Sequence, residues 1–132
     1  MRKFLILAFA PIFLFSCNDS ENTVQENDFC DCEMLAHDNL FNHFYLEDRK
    51  SPYTGVCKLF YKNGQVKQER ELVNGKNNGF YRSYSETGVL LEEGAFLDNR
   101  HHGWFRYFDE KGNLIIEVEY ENGVPVNERA EF

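Results

Sequence analysis

The placement of glycine constrains this chain more than any other feature. All nine glycines fall between Gly55 and Gly123, and eight of them keep one spacing. Gly55, Gly79 and Gly103 are 24 residues apart, as are Gly64, Gly88 and Gly112, and Gly75 and Gly123 bracket Asn99 at the same interval. Asparagine shares glycine's tolerance of positive φ, so Asn99 keeps the rule. Other columns follow the same period: Val56, Phe80 and Trp104; Lys58, Arg82 and Arg106; Phe60, Tyr84 and Phe108; Val66, Leu90 and Leu114; Leu72, Phe96 and Tyr120; Glu69, Glu93 and Glu117. A period kept through three units marks a repeat array, in which each unit buries surface against its neighbours.

Short aromatic and branched stretches such as Phe80 to Ser85 and Val89 to Leu97 flank dipeptides that turn, so each unit reads as a β-hairpin. Asn63-Gly64, Thr87-Gly88 and Lys111-Gly112 turn within units, and Asn74-Gly75, Asp98-Asn99 and Asn122-Gly123 turn between them. The expected fold is therefore all-β, an antiparallel meander of six strands in three 24-residue hairpin repeats over residues 55–127. The turn glycines are Gly64, Gly75, Gly88, Gly112 and Gly123. If Asn63-Gly64 is a two-residue turn, Lys58 lies opposite Glu69, and the same arithmetic pairs Arg82 with Glu93 and Arg106 with Glu117. On this reading a three-residue turn breaks all three pairs. Residues 29–54 form an amino-terminal cap, with Phe44 to Glu47 as a capping strand, Asp48 to Thr54 as its turn, and Met34 and Leu35 on a short helical turn. Phe41, Phe44, Tyr45 and Leu46 supply its apolar surface. From Val124 onward the chain is acidic and is expected to fray, with residues 128–132 outside the array.

The amino terminus bears on compartment. Arg2 and Lys3 precede an apolar run from Phe4 to Phe15, too short for a relaxed bilayer span and matched to the apolar region of a secretory signal peptide. Its end, Leu14-Phe15-Ser16-Cys17, resembles the bacterial lipobox. That resemblance implies removal of residues 1–16, acylation of Cys17 and membrane attachment through that lipid. Residues 17–28 read as the lipidated cysteine and a solvated acidic tether. By resemblance to sorting signals, Asn18 favours the outer membrane, facing the periplasm or the surface, and Asp19 and Glu21 are similar to an acidic surface-export stretch. With a net charge of −8, the chain lacks the clustered cations that phosphate binding needs, so no nucleic-acid partner is expected.

Setting Cys17 aside leaves Cys30, Cys32 and Cys57 in an oxidising space, so one disulfide and one free thiol are expected, with Cys57 bonded to Cys30 or Cys32. Either bridge staples the cap to the first repeat strand. The alternative is a metal site of Cys30, Cys32 and His37, but that spacing is not standard, and no metal or cofactor is assigned.

The repeat resembles the MORN-repeat variant of bacterial proteins labelled YwqK-type antitoxins. Gly55-x4-Phe60-x2-Asn63-Gly64, Gly79-x4-Tyr84-x3-Gly88 and Gly103-x4-Phe108-x3-Gly112 carry the likeness, with Asn74-Gly75-Lys76-x2-Gly79, Asp98-Asn99-Arg100-x2-Gly103 and Asn122-Gly123 between them. Pro52-Tyr53-Thr54-Gly55 resembles the family's entry into its first repeat. The resemblance implies an open antiparallel sheet with no catalytic residue set to carry over. It also brings an antitoxin label, which the signal peptide and lipobox fit poorly for an intracellular toxin.

No Ser-His-Asp order, phosphate loop or metalloprotease motif is present, so no enzyme is expected. His101-His102 read as exposed loop residues, and the Glu69, Glu93 and Glu117 column reads as ion-paired rather than as a carboxylate dyad. The candidate binding face is Val56, Lys58, Phe60, Phe80, Arg82, Tyr84, Trp104, Arg106 and Phe108, aromatics interleaved with cations in a form suited to glycans, peptides or lipid head groups. These aromatics also read, and more readily, as sheet core with the basic groups snorkelling past them, which leaves Tyr61, Tyr81, Phe105 and Tyr107 on the other face. Two functions follow: a lipid-anchored noncatalytic module that binds a protein or glycan partner, or an antitoxin or immunity-type protein.

Overall fold

The computed structural model describes residues 29–130. The apolar leader, Cys17, the acidic tether and residues 131–132 lie outside the described residues. The elements are β1 (Phe29–Asp31), one 3-10 turn (Cys32–Met34), β2 (Ala36–Asp38), β3 (His43–Tyr45), β4 (Gly55–Phe60), β5 (Val66–Val73), β6 (Lys76–Tyr84), β7 (Leu90–Leu97), β8 (Arg100–Phe108), β9 (Leu114–Glu121) and β10 (Val124–Ala130). Strands β4 to β10 form an antiparallel meander in chain order, and β1 adds to the free edge of β4 in parallel, completing an eight-stranded sheet. The all-β expectation holds, with one strand more in the meander than expected. Where fraying was expected, Asn122-Gly123 returns the chain at φ 53° and 83° and β10 pairs with β9 as far as Ala130 opposite Ile116. The turn chemistry and the ladder outweigh the acidic composition there.

The two kinds of turn differ from the expectation. Asn74-Gly75, Asp98-Asn99 and Asn122-Gly123 have positive φ at both residues, the type I′ geometry that matches strand twist. They also stack. Gly75, Asn99 and Gly123 each donate a backbone N–H to the carbonyl of the residue 22 positions earlier, Tyr53, Asn77 and His101, at 2.7–3.0 Å. Asn63-Gly64 is instead the end of a three-residue loop: Gly64 N–H donates to the Tyr61 carbonyl at 3.0 Å, Tyr61 N–H donates to the Gln65 carbonyl at 2.8 Å, and among the loop residues only Gly64 has positive φ. The three expected ion pairs survive because a bulge takes up the extra residue. Phe60 faces Val66, but Leu59 faces Gln68, so Lys58 still meets Glu69. The Ser85–Val89 and Asp109–Asn113 loops repeat this loop-plus-bulge device.

The cap also departs from the expectation. Phe44 lies in a strand, but β3 pairs with β2 in a separate two-stranded sheet, and β1 covers the edge of β4. The cap is fastened at the first inter-unit turn, where Phe44 N–H donates to the Gly75 carbonyl at 2.7 Å and Tyr53 N–H to the Phe44 carbonyl at 3.0 Å. The Asp48 turn forms as expected, its carboxylate accepting from the backbone N–H of Lys50 and Ser51. Phe41 contributes little, being 64% exposed.

One face of the sheet holds the core. At the cap end Cys57 and Leu72 are fully buried with Cys30 and Leu35, and Phe44, Leu46 and Tyr53 pack against them. Cys32 bonds to Cys57, choosing between the two bridges, and Cys30 is disulfide-bonded too, so the expected free thiol is absent among the described residues. In the middle of the same face Phe105 is fully buried among the rings of Tyr81, Phe96, His101 and Tyr120, at centroid distances of 4.4–6.4 Å. This is the ring face. Gly94, the glycine outside the 24-residue rule, explains how Phe105 is sealed: a Cβ there would lie 2.5–2.6 Å from the Phe105 ring. Its role is close approach rather than a turn.

Gly94→Ala is expected to cost about 3 kcal/mol, the upper range for forcing atoms into a packed site. Gly88→Ala, strained in φ but open in space, should cost about 1 kcal/mol. Urea unfolding of the two variants checks the order, and equal losses would contradict the Phe105 contact. Cys57→Ser, which opens a bridge of sequence separation 25, should remove about 3 kcal/mol on the loop-entropy account.

Candidate functional site

Strand alternation places all nine expected binding-face residues on the side opposite the ring face. Lys58, Glu69, Arg82, Glu93, Arg106 and Glu117 are successive cross-strand partners, so each pair expected within a hairpin forms. The sequence reading missed that the pairs also join between hairpins. Lys58 lies 3.6 Å from Glu69, Glu69 3.4 Å from Arg82, Arg82 3.9 Å from Glu93, Glu93 3.2 Å from Arg106, and Arg106 2.7 Å from Glu117. The backbone register extends this row to Asp31 opposite Lys58 and Arg129 opposite Glu117. One row of alternating sign thus crosses all eight strands. The signal was in the sequence as the two charge columns, but the inter-hairpin register depends on turns whose geometry the columns do not report.

The row sets the chemistry of this ladder face. Its carboxylates are well covered, with side-chain exposures of 13–28%, whereas Arg82 and Arg106 are about 45% exposed. Burial alone would raise the Glu69 pKa. The hydrogen bonds from Tyr84 and Arg82, together with the charges of Lys58 and Arg82, hold it below the ordinary carboxylate value. Tyr84 is pushed up to about 12 by burial and by its 2.8 Å hydrogen bond to Glu69. Arg106 is raised, first by its bond to Glu117 and then by that to Glu93. The cations therefore sit within a neutralised network, and the face is not a basic patch.

Aromatic rings flank the row. Arg82 lies 5.4 Å from the Phe80 centroid, Arg129 4.5 Å from that of Trp104, and Lys58 4.7 Å from that of Phe29, which in turn contacts Phe60. Tyr84, Trp104 and Phe108 are half-buried, as is Val56 opposite Glu71. Among the described residues the contacts between elements are those of neighbouring strands and of the cap, so no second layer covers the ladder face.

Other expected sites resolve differently. His101 is not an exposed loop residue: it lies in β8, its ring stacked on Tyr120 at 4.8 Å and against Phe105 at 4.4 Å, whereas His102 is exposed. Cys30 and Cys32 are disulfide-bonded, and His37 bonds Asn42 at 2.9 Å and stacks on Phe44, so these residues do not assemble a metal centre. No group of three or more metal-ligating side chains lies among the described residues. Two features were not anticipated. Arg70 lies on the ring face 5.5 Å from the Phe44 centroid, with Nε buried and without a hydrogen bond, and burial lowers its pKa. An open recess of about 320 Å³ lies between inter-unit turns, lined by Lys76, Leu97, Asp98, Arg100 and Asn122.

Glu69 fixes an expected pH dependence. Its folded pKa lies below the ordinary 4.5, so its stabilisation is complete above that value and is lost as pH falls through the folded value. Glu69→Gln should cost about 1 kcal/mol at neutral pH, and this difference from the natural chain should close at acid pH. Urea midpoints of both proteins at the two pH values decide it, and a pH-independent gap would sink the assignment.

Comparison with known proteins bears on the repeats alone. No curated protein and no solved structure matches the chain. Residues 53–74 and 102–122, the hairpins β4–β5 and β8–β9, match the MORN repeat variant, and the hairpin between them carries the same loop, bulge and inter-unit turn.

Proposed function

We propose that this protein is a noncatalytic repeat scaffold that binds a protein or an envelope polymer across its ladder face, and that a lipid on Cys17 holds it at the cell envelope. The observation that carries the binding reading is that no second layer among the described residues covers this face, where half-buried Phe80, Tyr84, Trp104 and Phe108 lie beside polar groups already held in position. Rings supply stacking area, and a fixed row of carboxylates and guanidinium groups supplies oriented hydrogen bonds at little further ordering cost. Because each interior cation has a carboxylate partner, a neutral glycan or a mixed-charge peptide suits the face better than a polyanion. The match to a repeat unit, with no catalytic residue set to transfer, accords with binding rather than turnover. The anchoring reading rests on Leu14-Phe15-Ser16-Cys17 closing an apolar run. No helix among the described residues is long and apolar enough to cross a membrane.

Photo-crosslinking in the cell from position 84, with co-sedimentation on purified cell-wall sacculi, tests the binding. Trp104→Ala and Phe108→Ser should lower capture at least about tenfold, as expected of central ring contacts, while both variants keep the strand signature in circular dichroism. Capture unchanged in both would overturn the assignment of this face, and a crosslinked toxin would make the protein an immunity factor. Labelling with a clickable palmitate analogue tests the anchor, and label lost only in Cys17→Ala is the expected result. A thioether-linked lipid and a disulfide are exclusive at one sulfur, so a mature chain that carries no lipid and two disulfides by non-reduced intact mass overturns anchoring.

A further inference from the structure

The alternating row ends in opposite charges at the two edges of the sheet. Interior members each face a partner of opposite sign on both sides, as Glu93 does with Arg82 and Arg106. Among the described residues, Asp31 on β1 and Arg129 on β10 have a row neighbour on one side only. One edge is thus a carboxylate short and the other a cation short.

We propose that copies of this chain associate head to tail, the β10 edge of one copy receiving the β1 edge of the next, so that Asp31 of the second continues the row beyond Arg129 of the first. Strand direction permits the joint. β1 runs parallel to β4, and β10 lies an even number of antiparallel steps from β4, so β1 of the next copy meets β10 in the parallel sense already used at β4. Every residue of β10 is exposed, and its outer edge has no strand partner among the described residues. Unpaired edge groups template addition of another strand. Pro125 and the irregularity between Pro125 and Asn127 disfavour pairing in the first half of β10. This leaves Asn127 to Ala130, a length that fits the three residues of β1. Joining two like edges with the row in register sets Arg129 against Arg129, or Asp31 against Asp31, and like charges directly opposite destabilise a ladder. The joint is therefore heterologous, and repeating it gives open chains rather than closed dimers. This inference does not rest on the ladder-face binding reading, because it needs no ligand.

Sedimentation velocity of the purified full chain, at low and high salt over a wide concentration range, provides the test. Mass should rise past the dimer with concentration and fall with added salt. Arg129→Glu and Asp31→Lys should each weaken association at least about tenfold, and an equimolar mixture of the two should restore it, because the mixed copies present complementary edges again. Asp31 also caps the 3-10 turn, accepting from Glu33 N–H at 2.9 Å, so Asp31→Asn, which keeps a cap while removing the charge, serves as the second variant and should weaken association as well. Thermal unfolding of each variant checks that it is folded. A natural chain that stays monomeric at every concentration, association indifferent to both charge reversals, or folded variants that fail to rescue one another would each overturn the proposal.

Discussion

Beyond the small cap, where no second sheet among the described residues presses on it, a sheet one layer thick must hold its strands in register by itself. Here that task falls to the inter-unit turns, where a residue at positive φ in each turn gives its amide to a carbonyl in the unit before. The stack converts a local turn preference into a contact between neighbouring hairpins, the element that a repeat array requires for cooperativity. The ion-pair row, the sealed Phe105 and the exposed last strand all presuppose the register that these turns set.

The repeat was legible because glycine and asparagine at fixed spacing report positive φ directly, and because columns of like residues report faces. The within-hairpin ion pairs were legible for the same reason. The three-residue loops were not, since Asn63-Gly64 fits either a two-residue turn or the end of a longer loop, and only the compensating bulge decides which pairs survive. His101 was read as a loop residue because Asn77, its counterpart one period earlier, resembles a turn residue. In fact Asn77 is buried, and its backbone N–H and side chain both donate to Asn99. Long-range pairing of β1 with β4 leaves no local trace, so the cap was assigned to Phe44 when Phe29 to Asp31 cover the edge.

The residues of the candidate face share one side of the sheet, and the ion pairs expected within hairpins join between hairpins as well. A column of Lys58, Arg82 and Arg106 beside rings reads as a cationic aromatic surface, whereas the neighbouring glutamates neutralise it pair by pair. Surface ion pairs taken singly contribute little, but a continuous row fixes side-chain directions across many strands. Its value to a binding surface lies in pre-set geometry rather than in field strength.

The bond between Cys32 and Cys57 links the cap to the central part of β4 by a covalent path. Tension applied at the amino-terminal end passes through three-residue β1 and then reaches the repeat sheet through sulfur, so the rest of the cap between Cys32 and Cys57 is spared it. The pull enters β4 at Cys57, and the hydrogen bonds between β4 and β5 are the next to carry it. Under oxidising conditions the sheet is thereby built to be held from one end, and reduction of a single bond would change how it yields to force.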